Sequence, residues 1–311
     1  MKVGFIGLGT MGASMARNLQ KSQFSLVVHD MRKASADEHI EAGAEWADSP
    51  KALAEQCDVV FTSLPGPPEV EAVALGENGL LAGLKPGSAY FDLSTNSPTV
   101  VRRLHAIFAE KGVHLLDAPV SGGPAGAKSG KLALWVGGDE DAFNKHKATL
   151  GAIGDQAAYI GAIGAGTVAK LTHNCAGYAV QAVLGEVFTM GIKAGVEPLA
   201  LWEAVRQGVL GRRRTFDGMI NQFLPGTYEK PDFALRLAHK DVGLATQLGR
   251  EMSVPMRMCN LAFEEMTEAM NRGWDGYDSR SPLMLQLERA GVEVAVEPER
   301  IAEALKKDPP L

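Results

Sequence analysis

Residues 7–12 read Gly7-Leu8-Gly9-Thr10-Met11-Gly12, set between an apolar run, Lys2-Val3-Gly4-Phe5-Ile6, and a helix-like stretch from Met11 to Ser22. A strand, a tight glycine turn and a helix in that order form the first half of a βαβ unit, so the next strand must return parallel to the first. Gly7 allows the turn, Gly9 lets a pyrophosphate approach the backbone, and Gly12 lets helix and strand pack closely. The helix N-terminus then offers N–H groups and a positive dipole end to phosphates. An acid stands at the expected distance, because Asp30 follows Gly12 by eighteen residues. Gly7, Leu8, Gly9, Met11, Gly12 and Asp30 are therefore the expected contacts of a dinucleotide. Asp30 would accept hydrogen bonds from the adenosine ribose and repel a 2′-phosphate, which favours NAD. Arg32 would pair with such a phosphate, so NADP stays open.

The alternation continues down the chain. Further strand-like runs are Ser25 to His29, Val59 to Ser63, Ser88 to Asp92, His114 to Asp117 and Leu132 to Val136, with Pro50 to Gln56 as a second early helix. Strands alternating with helices imply a mostly parallel sheet, with room for an antiparallel edge among the later strands. The pattern changes near Gly161. From Thr167 to about Ala194 the sequence reads as one long helix, apolar on most faces, and Pro198–Gln207, Thr215–Phe223, Ala234–Met252 and Val254–Arg272 read as further helices. The expected fold class is an α/β Rossmann-type N-terminal domain plus an all-α C-terminal domain. The expected boundaries are 1–162 for dinucleotide binding, 163–295 for a helical substrate and oligomerisation domain, and 296–311 for a charged tail that frays.

Composition excludes several classes. A net charge of −6 argues against a general nucleic-acid binder. The most apolar stretch, Cys175 to Leu184, contains Gln181 and is too short to span a bilayer. The N-terminus is already a strand and turn, so no signal peptide is expected. Cys57, Cys175 and Cys259 are an odd number without metal-ligand or redox spacing, which suits a reducing, cytoplasmic setting. No metal site is expected.

Four segments bear on chemistry. Leu64-Pro65 and Asp92-Leu93-Ser94-Thr95 follow strands, and in an open α/β sheet ligands bind outside the carboxyl ends of strands. Leu64, Pro65 and Thr95 are therefore expected beside the nicotinamide half of the cofactor. Asp117-Ala118-Pro119-Val120-Ser121-Gly122-Gly123 ends another strand, and its two glycines after a serine would expose backbone N–H groups to a carboxylate. Lys170 lies in Gly164-Ala165-Gly166-Thr167-Val168-Ala169-Lys170-Leu171-Thr172-His173-Asn174, where the apolar helix begins. An ammonium there loses water, which is costly without polar partners or a shifted pKa. Asn174, four residues on, projects from the same face. His173 lies on a different face and is set aside as a proton carrier. His239, beside Lys240, reads as structural or solvent-facing.

Gly7 to Gly12 with Met15-Ala16-Arg17-Asn18-Leu19, Asp117 to Gly123, Gly164 to Asn174, and Lys240-Asp241 with Leu244-Ala245 resemble, in order, motifs of the β-hydroxyacid dehydrogenases, which include 3-hydroxyisobutyrate dehydrogenase and tartronate semialdehyde reductase. The resemblance implies Lys170 as the catalytic lysine with Asn174 beside it. It implies Ser121, Gly122 and Gly123 on the substrate carboxylate, Thr95 on the cofactor, and Lys240 closing over the nicotinamide end. The implied reaction interconverts a β-hydroxy acid and its semialdehyde by hydride transfer, with NAD or NADP and Lys170 as general acid and base. A free lysine, with a pKa of about 10.4, suits the reductive direction; as a base it needs a dry pocket and a neighbouring cation such as Lys240.

The chain departs from the better-known relatives at Gly211-Arg212-Arg213-Arg214-Thr215. Either this is a solvated basic turn, or Arg212 and Arg214 grip a second anionic group such as a phosphate, sulfonate or distal carboxylate. Three rivals carry less: an imine reductase and a non-catalytic interaction module are expected to lack Lys170, and an oxidative decarboxylase needs a longer helical domain. The length of the apolar helix favours a homodimer or homotetramer.

Overall fold

Apolar side chains alternate between two destinations along each early strand, and that alternation fixes the layers. Val3 and Phe5 bury on one face of the sheet with Leu26, Val28, Val59, Phe61, Ala89 and Phe91. Ile6, Val27, Val60 and Tyr90 bury on the other. A sheet apolar on both faces needs helices on both, which is the parallel α/β arrangement. In the computed structural model, which describes residues 1–22, 24–193, 195–208, 217–251 and 257–306, this is the architecture of the N-terminal part.

The strands are β1 (Lys2–Ile6), β2 (Ser25–His29), β3 (Glu45–Trp46), β4 (Val59–Thr62), β5 (Ala89–Asp92), β6 (His114–Asp117), β7 (Val120–Ser121), β8 (Ala133–Gly137) and β9 (Gln156–Gly161). They form one sheet in the order β3-β2-β1-β4-β5-β6-β8-β7, with β9 also on β8. The first six run parallel in register. β8 is antiparallel to β6 and β7, and β9 is parallel to β8. Phe5, Phe61 and Phe91 stack across β1, β4 and β5, with centroids 6.4 and 5.3 Å apart. Strand order reverses between β1 and β4, the point at which such sheets open a crevice beyond their carboxyl ends.

The chain divides into two compact units, Met1–His173 and Asn174–Leu311. A 29-residue helix, Ala165–Lys193, runs through the division. In the second unit the described elements after it are helices Pro198–Arg206, Leu235–Glu251, Arg257–Asn271, Pro282–Ala290 and Pro298–Lys306, with a 3-10 turn at Asp217–Ile220. One core gathers Trp202, Phe223, Leu224, Leu283 and Ile301; a second gathers Leu235, Ala238, Val242, Met266 and Leu285. No described helix is long and apolar enough to cross a membrane.

Two expectations are corrected here. The described part of the helix expected over Thr215–Phe223 is only the Asp217–Ile220 turn, followed by non-helical turns; Gly218 and the Pro225-Gly226 pair disfavour anything longer. The expected frayed tail contains the helix Pro298–Lys306, which buries Ile301 and Ala304. Proline at the first helical position and an apolar pair three residues apart outweigh the charge of that segment.

Candidate active site

The glycine loop joins β1 to the helix Gly12–Lys21. A Cβ on Gly7 would stand 2.3 Å from the Ser63 carbonyl oxygen, and one on Gly12 would stand 1.8 Å from the Gly7 oxygen. Close packing of strand, turn and helix therefore requires both. A Cβ on Gly9 would meet no atom of the described residues within 4 Å. Open space above Gly9, with no side chain capping the helix that follows, is what a pyrophosphate needs from this loop. Asp30 is fixed at the end of β2: the Leu8 N–H donates to its Oδ2 at 2.7 Å and the Arg32 N–H to its Oδ1 at 2.9 Å. Those bonds tie the ribose end of the site to the glycine turn and leave further lone pairs on each oxygen. The loop and Asp30 thus fit a dinucleotide.

At the ends of β4 and β5 a buried carboxylate organises the next two segments. Asp92 accepts hydrogen bonds from Thr62 Oγ1 (2.9 Å), the Ser94 N–H (3.0 Å) and Asn96 Nδ2 (2.8 Å). Burial raises its pKa, and the donors from Asn96, Ser94 and Thr62 oppose that rise. Ser94 Oγ in turn accepts from the Leu64 N–H at 2.9 Å. Leu64, exposed Pro65 and half-buried Thr95 are thereby brought to one edge of the sheet. Asp92 and Asn96 carry no signal in sequence, because an acid at a strand end says nothing of donors that return to it.

Asp117, at the end of β6, holds the start of the long helix. Its Oδ1 accepts from the Gly164 N–H at 2.7 Å, and its Oδ2 accepts from the Thr167 N–H at 2.6 Å and Thr167 Oγ1 at 2.8 Å. Carboxylates are favoured at helix N-termini, where backbone donors lack intrahelical partners. Gly166 completes the junction, since a Cβ there would lie 2.0 Å from the Trp135 carbonyl oxygen. Lys170 follows on this helix, half-buried.

Ser121 ends β7, and Gly122 and Gly123 after it have φ of 135° and 61°. Ser121 Oγ lies 3.2 Å from His173 Nε2. The His173 ring also packs against Trp135 of β8, centroid to centroid 5.2 Å. Partial burial of that ring, reinforced by the Lys170 charge, lowers its pKa. His173, set aside on helical face alone, therefore brings the long helix against Ser121. Helical periodicity separates faces, but it does not say which face meets a serine 52 positions earlier.

In the second unit, Asn174 Nδ2 donates to Asp241 Oδ2 at 2.7 Å. Lys240 Nζ pairs with Asp241 Oδ1 at 2.9 Å, and Asp241 is buried. Asn174 and Lys240, matched separately in the sequence, thus share one carboxylate. His239 Nε2 contacts Thr267 Oγ1 at 2.8 Å and its ring stacks on Phe263, a structural position. Arg212, Arg213 and Arg214 lie outside the described residues.

Residues 2–161 match the family described as the NAD binding domain of 6-phosphogluconate dehydrogenase. Residues 164–287 match that described as the NAD-binding domain of NADP-dependent 3-hydroxyisobutyrate dehydrogenase. The chain is 33% identical to 2-(hydroxymethyl)glutarate dehydrogenase of Eubacterium barkeri, over 95% of this chain and 98% of that one. It is 34% identical to NAD-dependent L-serine dehydrogenase of Pseudomonas aeruginosa, over 88% and 93%. Among solved structures, 3-hydroxyisobutyrate dehydrogenase from Salmonella typhimurium superposes with a TM-score of 0.81 at 25% identity, covering 92% of this chain and 99% of that one.

Proposed function

This chain belongs to the β-hydroxyacid dehydrogenase family, and on that premise we propose that Lys170 is its general acid and base. The chain is an NAD(P)-dependent oxidoreductase that interconverts a β-hydroxy acid and its semialdehyde. Ser121, Gly122 and Gly123 hold the substrate carboxylate, and Asn174 is assigned to the substrate as well. The glycine loop, Asp30, Leu64, Pro65, Thr95 and Lys240 hold the cofactor. The observation that carries the reading is the contact of the Lys170 helix with Ser121, made by His173 only three residues after the lysine. The lysine and the carboxylate-binding serine then serve the same small molecule.

Held by those residues, a nicotinamide cofactor would supply the hydride acceptor or donor for the carbinol carbon. Lys170 handles the other product of C–H and O–H cleavage, the hydroxyl proton. As an ammonium it protonates the oxygen of the carbonyl being reduced, and as an amine it removes that proton in oxidation. Asp117 fixes the lysine by anchoring its helix, and Asp30 favours NAD by facing the ribose with a negative charge. Lys240 is balanced within its own unit by Asp241. The free cysteines Cys57, Cys175 and Cys259 agree with a cytoplasmic setting. Exposed Val180, Met258 and Leu261 agree with a homodimer or homotetramer.

The test is a panel of β-hydroxy acids and semialdehydes assayed with NAD and NADP, on the natural chain and on Lys170→Ala. Turnover in the variant should fall by about 10²-fold or more, while cofactor binding, read by nucleotide fluorescence, stays within about twofold of the natural value. Near-normal turnover in Lys170→Ala would sink the assignment.

A further inference from the structure

We propose that His173 is a positioning residue of the substrate pocket, donating its Nε2–H to Ser121 Oγ so that the serine's own proton faces the substrate carboxylate. The inference rests on the reading that Ser121 to Gly123 bind that carboxylate. Its geometry comes from three elements of the first unit. The long helix, pinned by Asp117, presents His173. β7 presents Ser121, paired in register with Ala133 of β8. Two residues further along β8, Trp135 flanks the imidazole at 5.2 Å. The 3.2 Å contact is therefore set by a helix and two strands.

The direction of that hydrogen bond decides what the serine can do. A serine hydroxyl has one proton, and a carboxylate only accepts. If Ser121 gave its proton to the imidazole, its oxygen would turn lone pairs toward the substrate, and the carboxylate would be repelled. If the imidazole donates, the serine proton is free for the carboxylate, and each bond polarises the next. Substrate binding thus selects the Nε2–H form of His173. Partial burial, and after it the charge of Lys170, disfavour protonation of the ring, so the residue serves as an oriented neutral donor while the lysine handles the proton of the reaction.

Four full-length variants test this, using whichever β-hydroxy acid of the panel is turned over fastest. His173→Phe keeps a ring against Trp135 without the N–H and should raise substrate KM about fivefold, with kcat changed less than about twofold and KM for the cofactor unmoved. His173→Gln restores an N–H at similar reach and should stay within about twofold of the natural KM. In a Ser121→Ala background, the His173→Phe change should add less than about twofold, because its partner has gone. A His173→Gln variant as impaired as His173→Phe, or a full His173→Phe effect without Ser121, overturns the proposal. So does an unchanged KM in His173→Phe while Ser121→Ala alone raises it. An unchanged KM in Ser121→Ala overturns the carboxylate reading on which the proposal rests.

Discussion

His146 turns its imidazole edge-on to Phe91 of β5, at 5.7 Å, and its buried Nδ1 has no hydrogen-bond partner among the described residues. Burial, helped by the charge of Lys145, pushes its pKa down to about 4. The folded chain therefore holds this ring neutral where the unfolded chain protonates it. As pH falls from about 6.5 to about 4, the unfolded state binds the extra proton and stability drops, by about 3 kcal/mol in all. Urea-unfolding midpoints across that range should fall steeply in the natural chain and more gently in His146→Phe; parallel curves would refute the account. Placement that follows from local spacing was legible from sequence: the glycine turn between β1 and its helix, Asp30 at the end of β2, and Lys170 in the early turns of the long helix. The position of His173 was not, since its contact is with a serine on a strand 52 residues earlier. Asp92 was illegible for the same reason, its donors coming from β4 and from the loop beyond β5.

Among the elements, the long helix shows how one carboxylate can carry a junction. Asp117 accepts three hydrogen bonds at the helix start, and such charge-assisted bonds contribute about 1.5–3 kcal/mol each. Asp117→Asn keeps the shape but replaces one acceptor oxygen with a donor that faces N–H groups. It should cost about 2 kcal/mol or more in unfolding free energy, measured by denaturant titration. Turnover should fall with it, because Lys170 is placed by the same turn of helix; unchanged stability would show that the first turn is held otherwise. In sequence Asp117 reads as part of a substrate motif, and its anchoring of the helix is visible only in the fold. β1, β2 and β6 matched expectation to the residue because their apolar runs are bounded by turn signals. β3 and β7 are two residues each, too short for any periodicity, and exist because a neighbouring strand pairs with them. The helix Pro282–Ala290 was missed because its buried Leu283, Leu285 and Leu287 alternate as a strand's would, and Pro298–Lys306 because charge obscured an apolar face.

For the molecule as a whole, the change from strand pattern to helix pattern near residue 162 was visible in sequence. Compactness divides the chain slightly later, after His173, since Asp117 and Ser121 hold the first turns of the long helix to the sheet. Assembly belongs to this scale too. Sedimentation equilibrium should give a mass of two or four times 33.1 kDa, and Leu261→Glu should shift it toward the monomer; a single 33.1 kDa species at micromolar concentration would remove the oligomer proposal. The glycine loop also bears on descent. Backbone collisions hold Gly7 and Gly12 in place whether or not a nucleotide is ever bound, whereas a Cβ on Gly9 would meet none of the described residues within 4 Å. Selection on folding therefore protects two of the three glycines, and only selection on the ligand protects the third. A descendant that kept this fold but abandoned its nucleotide would be free to change position 9 first, leaving the other two as relics of the turn.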